Sequence, residues 1–292
     1  FEVEERVLVD GDVDTPLNVD SLNQVISRIA EQDVDSVSVC LLHAYKNPNH
    51  EKQIKQMIRN KLPNVSVSLS HEVVREWREY ERTSTTVINA YIAPIVEDYV
   101  TKLENEVKAK NLNSNLYIMQ SNGGVMTSEI ARNNPIQTLM SGPVGGTMGS
   151  IQLGKITNNQ NLICIDMGGT SFDVSMVING EPDVTSEATL ERFPIMTPMV
   201  NIHTIGSGGG SIAWIEGGGL RVGPKSAGAN PGPACYGNGG TYATVTDANL
   251  LLGRIDPEAF LGGNMKLDLD AAYIAVEKIA KPLGLSVIET AE

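Results

Sequence analysis

Two acidic residues and two glycines lie within eight positions, between two segments that have the pattern of β-strands. Asp166 ends an apolar run, Gly168 and Gly169 follow, and Asp173 lies in the next alternating run. Glycine lets backbone N–H groups approach phosphate oxygens, and carboxylates hold a divalent metal ion or its waters. The spacing therefore predicts a phosphate-binding turn within a β-hairpin.

The side chains of this segment have separate predicted roles. Thr170 and Ser171 add hydroxyl groups beside the phosphate, and Asp166 is the candidate metal ligand. Asp173 is a second catalytic carboxylate or, alternatively, a cap of the hairpin. A glycine-rich hairpin with a surface aspartate is the alternative for the whole segment, since both residue types are common in turns. The chain has no Gly-Lys-Ser/Thr sequence that would indicate a Walker motif.

A second glycine cluster, Ile-Gly-Ser-Gly-Gly-Gly-Ser, covers residues 205–211. It is typical of a loop whose backbone lies flat against a ribose or a phosphate, although a structural loop is an equally good interpretation. Two glycine clusters in one half of the chain favour the nucleotide interpretation. The predicted cofactor-binding residues of this loop are Gly206, Gly208, Gly209 and Gly210.

Two further features are weaker candidates. Ser141 and Gly142 follow a strand-like segment, 136–140, and open a helical pattern, where a helix N-terminus meets either an anion or a neighbouring backbone. His203 lies three residues before the glycine loop and is a candidate metal ligand, although a structural histidine is the more common case.

Cys235 has no histidine near it in sequence, which favours a packing role over a nucleophilic one.

The composition excludes several classes of protein. Apolar residues make up 41% of the 292 residues and charged residues 20%, which indicates a globular chain. The net charge of −13 argues against a nucleic-acid partner. No run of about 20 apolar residues indicates a membrane span. Three scattered cysteines without Cys-x-x-Cys spacing, and no export signal, predict a cytoplasmic location.

The order of the predicted elements indicates an α/β fold with two domains. Helical and strand patterns alternate over residues 1–158, which include a long helical pattern from about 79 to 110. Consecutive strand patterns then begin at Leu162. A domain boundary is therefore expected near residue 158, with the second domain over 159–292.

These motifs together resemble the hydantoinase A/5-oxoprolinase family. The resemblance is carried by Asp166-Met-Gly-Gly-Thr-Ser-Phe-Asp, by His203-Thr-Ile-Gly-Ser-Gly-Gly-Gly, and by Ser226-Ala-Gly-Ala-Asn-Pro-Gly-Pro-Ala-Cys-Tyr-Gly. It extends through Glu79-Tyr-Glu-Arg-Thr-Ser-Thr-Thr, Ser141-Gly-Pro-Val-Gly-Gly and Thr244-Val-Thr-Asp-Ala-Asn-Leu. It implies an actin-like ATPase fold, related to ribonuclease H, with two lobes around a nucleotide cleft. The first lobe would be truncated, since the N-terminal segment lacks an acidic-Gly-Gly-Thr clamp of its own.

The resemblance also implies a reaction. Family members use ATP, with Mg²⁺ or another divalent metal, to phosphorylate the carbonyl oxygen of a cyclic amide before ring opening, as in N-methylhydantoinase and 5-oxoprolinase. A small cyclic amide substrate and a hydantoinase B-type partner are expected, and the chain alone is expected to be an inactive internal piece of the enzyme. The alternatives are a subunit of an acetone or acetophenone type carboxylase, and a nucleotide-gated binding module without its own chemistry.

Overall fold

The computed structural model describes residues 1–112, 115–190 and 192–292. The described chain forms two compact units. The first unit consists of Phe1–Leu162 and Val177–Asn201, and the second of Ile163–Met176 and Ile202–Glu292. The assignment of residues 1–158 and 159–292 to two family lobes stays a prediction.

The first passage of the chain through unit 1 alternates strands and helices. Its elements are β1 (Arg6–Val7), β2 (Val13–Thr15), α1 (Val19–Ala30), β3 (Ser36–Val39), α2 (Asn49–Lys61), β4 (Ser66–Leu69), α3 (Ser70–Val73), α4 (Glu79–Ala109), β5 (Tyr117–Met119), β6 (Val125–Thr127), α5 (Ser128–Asn133) and α6 (Ser141–Thr157). Strands β3 and β4 are parallel, with Val37 opposite Val67, and α2 connects them. A βα rhythm in the first half of the chain is therefore observed.

Apolar positions at helical spacing form the core around this parallel pair. Leu22 and Ile26 of α1 and Ile54 and Ile58 of α2 are buried against Leu69 and its neighbours in β3 and β4. Helix α1 begins where Asn18 accepts hydrogen bonds from the backbone N–H groups that follow it. The sequence pattern alone is sufficient to predict these two helices because their apolar faces point to the core.

The segment before α6 differs from the expected strand. Residues Pro135–Thr138 form a 3₁₀ turn, in which the Thr138 hydroxyl donates to the Pro135 carbonyl oxygen at 2.7 Å. The N–H group of Ile136 is held by the side chain of Asn89 at 3.0 Å, away from any strand partner. The expected strand over 136–140 is therefore wrong. The apolar run has the pattern of a strand, but Ile136 is buried by tertiary packing and not by sheet formation.

Helix α4 matches the predicted long helix, with Pro94 inside it. The apolar residues that repeat along this helix at every fourth position, Val87, Tyr91, Ile95 and Tyr99, form an apolar stripe that is exposed: Tyr91 and Ile95 are 76% and 69% exposed. The opposite face is polar and buried, and consists of Arg82, Thr85, Thr86 and Asn89 with two alanines and Val100. Hydrogen bonds compensate part of that burial: Asn89 donates to Ser68 at 2.9 Å and Thr85 accepts from the backbone of Met196 at 2.9 Å, whereas Nε and Nη1 of Arg82 have no hydrogen-bond partner among the described residues.

The chain then forms mainly strands. They are β7 (Leu162–Met167), β8 (Phe172–Ile178), β9 (Glu181–Pro182), β10 (Val184–Thr185), β11 (Ala188–Leu190), β12 (Phe193–Ile195), β13 (Met199–Val200), β14 (Ile202–Ile205), β15 (Ser211–Glu216) and β16 (Gly219–Ser226), followed by α7 (Val245–Leu251), α8 (Leu269–Leu283) and α9 (Val287–Ala291). In unit 2, β8 lies between β14 and β7. Strands β15 and β16 form an antiparallel hairpin.

Small apolar residues form the core of unit 2. Ala234, Ala243, Ala275 and Val276 are buried, with Ala213 of the hairpin and Ile279 of α8 packed against them. Alanines allow the hairpin and helices α7 and α8 to approach closely, so that the loops between them are fixed.

None of the helices that the structure describes is long and apolar enough to cross a membrane.

Candidate functional site

The predicted phosphate turn joins β7 to β8. The N–H group of Gly168 donates to the carbonyl oxygen of Ser171 at 2.9 Å, which closes a tight turn. Asp166, Gly168, Gly169 and Thr170 are exposed, and Ser171 is half-buried. The turn is therefore open to a ligand on at least one side.

The second glycine cluster packs directly against this turn. The N–H group of Gly209 donates to the Gly168 carbonyl oxygen at 2.9 Å, and that of Gly210 donates to the Gly169 carbonyl oxygen at 2.6 Å. Gly208 is closer still, because a Cβ atom there would lie 2.6 Å from the Gly169 carbonyl carbon. The two glycine clusters of the sequence thus form one structure within unit 2.

These bonds determine where the amides of the turn point. In a planar trans peptide the C=O and N–H groups point in opposite directions. Because the carbonyl groups of Gly168 and Gly169 point at the glycine loop, the N–H groups of Gly169 and Thr170 point away from it. Neither these two groups nor the N–H of Ser171 finds an acceptor among the described residues. Successive free amides with one orientation form an anion-binding concavity.

The space above Gly169 supports the same interpretation. A Cβ atom at Gly169 would meet no described atom within 4 Å, and its φ is not in the left-handed region. The fold of this chain therefore does not itself require glycine here. Glycine at this position leaves open the space beside the free amides that a side chain would occupy.

The amides of the glycine loop are used inside the chain. Gly208 donates to the Ser211 hydroxyl oxygen at 2.9 Å, while Gly209 and Gly210 hold the turn. These three amides are therefore not free to donate to a nucleotide phosphate, and the assignment of Gly208, Gly209 and Gly210 to the nucleotide stays a prediction. Gly206 is exposed, and its assignment to the nucleotide stays a prediction.

Asp173 holds the turn through hydrogen bonds of its side chain. Its carboxylate is buried and accepts hydrogen bonds from the Ser171 hydroxyl at 3.1 Å and from the Thr204 hydroxyl at 2.6 Å. Thr204 lies opposite Asp173 in the pairing of β14 with β8, so the two side chains share one face of the sheet. This geometry gives Asp173 a structural task, and a catalytic role for it stays a prediction.

The predicted metal ligands Asp166 and His203 are both exposed. His203 lies opposite Val174, and strand alternation places it on the other face of the sheet from Thr204 and Asp173. Within residues 1–112, 115–190 and 192–292 no three His, Cys, Asp or Glu side chains are grouped to hold a metal ion. The pairing of Asp166 with His203 around a metal stays a prediction.

Two residues of α7 were missed as site residues by sequence reasoning. Thr246 directs its N–H and its hydroxyl to the Gly209 carbonyl oxygen, each at 2.8 Å. Asp247 is fully buried and accepts from the backbone of Ala234 and Cys235 and from Thr244. The signal was present as a capping box, a threonine followed three residues later by an acidic residue.

Cys235 is fully buried, as expected of a packing cysteine. Burial, followed by the negative charge of Asp247, raises the pKa of its thiol far above the ordinary value. A thiol held in its neutral form is a poor nucleophile, so Cys235 has no place in the chemistry of this site.

Ser141 and Gly142 lie at the beginning of α6 in unit 1, outside the unit that contains the turn. A Cβ atom at Gly142 would meet no described atom within 4 Å. Their assignment to the nucleotide stays a prediction.

The described chain is a mixed α/β protein with an exposed glycine turn whose free amides suit an anion. Two family models match it: the model described as Hydantoinase/oxoprolinase covers residues 82–292, and that described as Hydantoinase/oxoprolinase N-terminal region covers residues 1–62. The chain belongs to the hydantoinase/oxoprolinase family.

The relatives include enzymes described as ATP-dependent. Caprolactamase subunit alpha of Pseudomonas jessenii is 39% identical over 97% of this chain and 41% of its own length. The solved structure of the ATP-dependent caprolactamase from that organism has a TM-score of 0.74 at 38% identity, over 99% of this chain and 42% of the other. Nucleotide-free acetone carboxylase, solved in a study of ATP-dependent acetone carboxylation, has a TM-score of 0.85 at 30% identity, over 99% and 41%. The chain spans less than half the length of these relatives.

Proposed function

We propose that this chain is the ATP-binding part of an enzyme that opens a cyclic amide, of the N-methylhydantoinase or 5-oxoprolinase type. In the proposed reaction the γ-phosphoryl group of ATP is transferred to the carbonyl oxygen of the amide. This transfer converts the oxygen of an unreactive, resonance-stabilised amide into a leaving group. Family membership and a relative named as an ATP-dependent caprolactamase support this assignment.

One observation carries the proposal. The N–H groups of Gly169 and Thr170 point away from the glycine loop, without an internal acceptor in the described chain, and a Cβ atom at Gly169 would meet no described atom within 4 Å. Phosphoryl transfer requires the protein mainly to position the phosphates and to compensate their charge. Outward amides on a braced turn are suited to that task, and the hydroxyl groups of Thr170 and Ser171 lie beside them.

Asp166 fits a nucleotide-bound Mg²⁺. This ion keeps several of its waters and is held by one or two carboxylates together with the phosphates, so a cluster of three protein ligands is not needed. Asp166 is exposed at the end of β7, two residues before the turn. Its task would be to hold the metal or its waters, which neutralises charge on the phosphates.

The finer architecture belongs to the same proposal. We infer an actin-like ATPase arrangement, in which residues 1–158 and 159–292 are parts of two lobes and unit 2 carries the phosphate turn. A hydantoinase B-type subunit or domain is the proposed partner. Support comes from the relative named as a subunit, caprolactamase subunit alpha.

The second candidate is the nucleotide-binding subunit of an acetone-type carboxylase. The TM-score of 0.85 to acetone carboxylase favours it. Both candidates use the same ATP site and differ in the acceptor of the phosphoryl group, a cyclic amide or a ketone. Unit 2 serves either reaction, so the acceptor must be identified by experiment.

The test measures ADP release by the complete protein with its co-purified partner. Hydantoin, 5-oxoproline, caprolactam and acetone are supplied in turn. Stimulation by any cyclic amide supports the first candidate, and stimulation by acetone alone supports the second. ATP binding without stimulation by any of them would leave a nucleotide-gated module, and no binding of ATP would overturn the proposal.

A pair of variants locates the site. Gly169→Val places a side chain over the outward amides and is expected to abolish ATP binding while the fold is retained. Gly149→Val is the matched control, because Gly149 also has no described atom within 4 Å of a Cβ and lies in α6 of unit 1. Equal ATP affinity of the two variants would show that the turn is not the phosphate site.

A further inference from the structure

We propose that Thr246 and Asp247 of α7 are positioning residues for the phosphate turn. They would not touch the nucleotide, and would act through the glycine loop on the carbonyl groups of Gly168 and Gly169. This inference rests on the proposed ATP site. It assigns a function to the Thr244–Asp247 segment beyond the capping of a short helix.

Asp247 fixes two segments at once. Its buried carboxylate accepts from the Thr244 N–H at 2.9 Å and hydroxyl at 2.7 Å, and from the N–H groups of Cys235 at 2.8 Å and Ala234 at 3.3 Å. A buried carboxylate with four donors is fully satisfied, and hydrogen bonds to a charged group are stronger than neutral ones. The beginning of α7 and the Ala234–Cys235 segment are therefore locked to each other.

Thr246 extends this contact to the Gly209–Gly210 peptide of the glycine loop. Its N–H and hydroxyl both donate to the Gly209 carbonyl oxygen, so this peptide group is held by two bonds. The N–H of the same peptide group, that of Gly210, donates to the Gly169 carbonyl oxygen, and the N–H of Gly209 donates to the Gly168 carbonyl oxygen. The position of Thr246 thereby fixes the direction of the Gly169–Thr170 peptide, and with it the outward N–H of Thr170.

A second connection holds Gly210 on its other side. The N–H group of Ala227 donates to the Gly210 carbonyl oxygen at 2.8 Å, and the N–H group of Gly210 donates to the Gly169 carbonyl oxygen. Ala227 begins the loop whose far end, Ala234 and Cys235, is bound by Asp247. The residue that orients the Gly169–Thr170 peptide is thus held by two connections that both lead back to α7.

There is little free space in these contacts. A Cβ atom at Gly209 would lie 2.7 Å from the Thr246 hydroxyl oxygen, and one at Gly210 would lie 2.9 Å from both the Gly169 carbonyl oxygen and the Ser226 hydroxyl oxygen. Close packing transmits small displacements, so a change at Thr246 shifts the turn. Amides that are aligned before the ligand arrives bind phosphate more tightly than amides that must be ordered during binding.

The test compares Thr246→Val with Thr246→Ser in the complete protein, by calorimetric titration with ATP. Valine removes the hydroxyl donor and places a methyl group against Gly209, and we expect the Kd for ATP to rise about fivefold to tenfold, as loss of one hydrogen bond predicts. Serine keeps the donor, so its Kd should stay within about twofold of the wild-type value.

Thr290→Val is the matched control. Thr290 is also buried in unit 2 and donates its hydroxyl to a backbone carbonyl oxygen, that of Ser286 at 2.9 Å. Among the described residues no hydrogen bond connects Thr290 to the glycine loop. It should lower the melting temperature without changing the Kd for ATP. A purely structural role for Thr246 would make the two valine variants behave alike.

The outcomes separate the two proposals. If the wild-type protein binds ATP and Thr246→Val binds it equally well, the positioning role is overturned and the ATP site remains. If the wild-type protein binds no ATP, both proposals fall. Thr246→Ser keeps the hydroxyl donor and loses the methyl group. If it binds ATP as tightly as the wild-type protein, the positioning role is supported even where Thr246→Val is less stable.

Discussion

The N–H group of Gly209 donates a hydrogen bond of 2.9 Å to the carbonyl oxygen of Gly168. This bond joins the two glycine clusters of the sequence and turns the N–H group of Gly169 outward. The two clusters therefore differ in structure: the turn leaves its amides without internal acceptors among the described residues, and the loop uses its amides to hold the turn in place.

Gly208→Ala is expected to displace the turn. The new Cβ atom would lie 2.6 Å from both the Gly169 carbonyl carbon and the Thr170 nitrogen, and backbone atoms cannot rotate away as a flexible side chain can. We expect the free energy of unfolding to fall by about 1 to 3 kcal/mol, with weaker ATP binding. Urea denaturation and titration with ATP measure the two effects. Gly146→Ala, on the exposed side of α6, is the control and should not reduce stability.

Asp166→Asn and Asp173→Asn should separate metal binding from structure. Asp166 is exposed and has no described partner, so its replacement should change the unfolding free energy by less than about 0.5 kcal/mol and should weaken ATP binding only in the presence of Mg²⁺. Asp173 accepts from two hydroxyl groups, so its replacement should cost about 1 to 3 kcal/mol. Denaturation curves, with ATP titrations with and without Mg²⁺, would contradict this division if the two variants were alike.

Cys235 should resist alkylation in the folded protein. Burial, and then the charge of Asp247, raises the pKa of the thiol, so iodoacetamide at about pH 8.5 should modify it only after unfolding. Half-exposed Cys164 is the internal comparison and should react first. Mass spectrometry of the alkylated peptides distinguishes the two sites.

The same raised pKa has a consequence for stability. The thiol keeps its proton in the folded state at pH values where the unfolded chain, with an ordinary pKa near 9.0, loses it. The protonated thiol therefore leaves the unfolding free energy undiminished below pH 9.0. As the pH rises above 9.0, ionisation of the thiol in the unfolded chain lowers the unfolding free energy. Cys235→Ala should remove this part of the alkaline decline in the unfolding free energy, and an unchanged pH profile would show that the thiol is not buried.

Helix α4 offers a test of its unusual polarity. Thr85→Val leaves the buried N–H group of Met196 without its acceptor and should cost about 1 to 3 kcal/mol. Tyr91→Ala removes a large aromatic side chain that is 76% exposed, and should change the unfolding free energy by less than about 0.5 kcal/mol. A larger loss from the tyrosine variant would mean that the stripe is covered in solution.

The spacing of residues in the sequence was sufficient to predict an element where contacts between near neighbours decide its structure. Apolar spacing is sufficient to predict α1 and α2 because each buries its apolar face, and the run of glycines between two strand patterns predicted the turn at Gly168. It was not sufficient for α4, whose regularly spaced apolar residues are exposed, because Thr85 and Asn89 on the buried face of that helix bond to residues far away in sequence.

By itself, the sequence of this protein determined the residue types at the candidate site and the family to which the chain belongs, since motifs are properties of neighbouring residues. Only the tertiary structure decided what the glycines do, because the direction of a peptide group depends on partners from distant segments. Gly209 and Gly210 donate to the turn, Thr246 holds Gly209, and the amides of Gly169 and Thr170 are left facing outward. The spacing of residues in the sequence does not predict which amides are bonded internally and which are free. That difference arises where the turn, the glycine loop and the beginning of α7 meet in space.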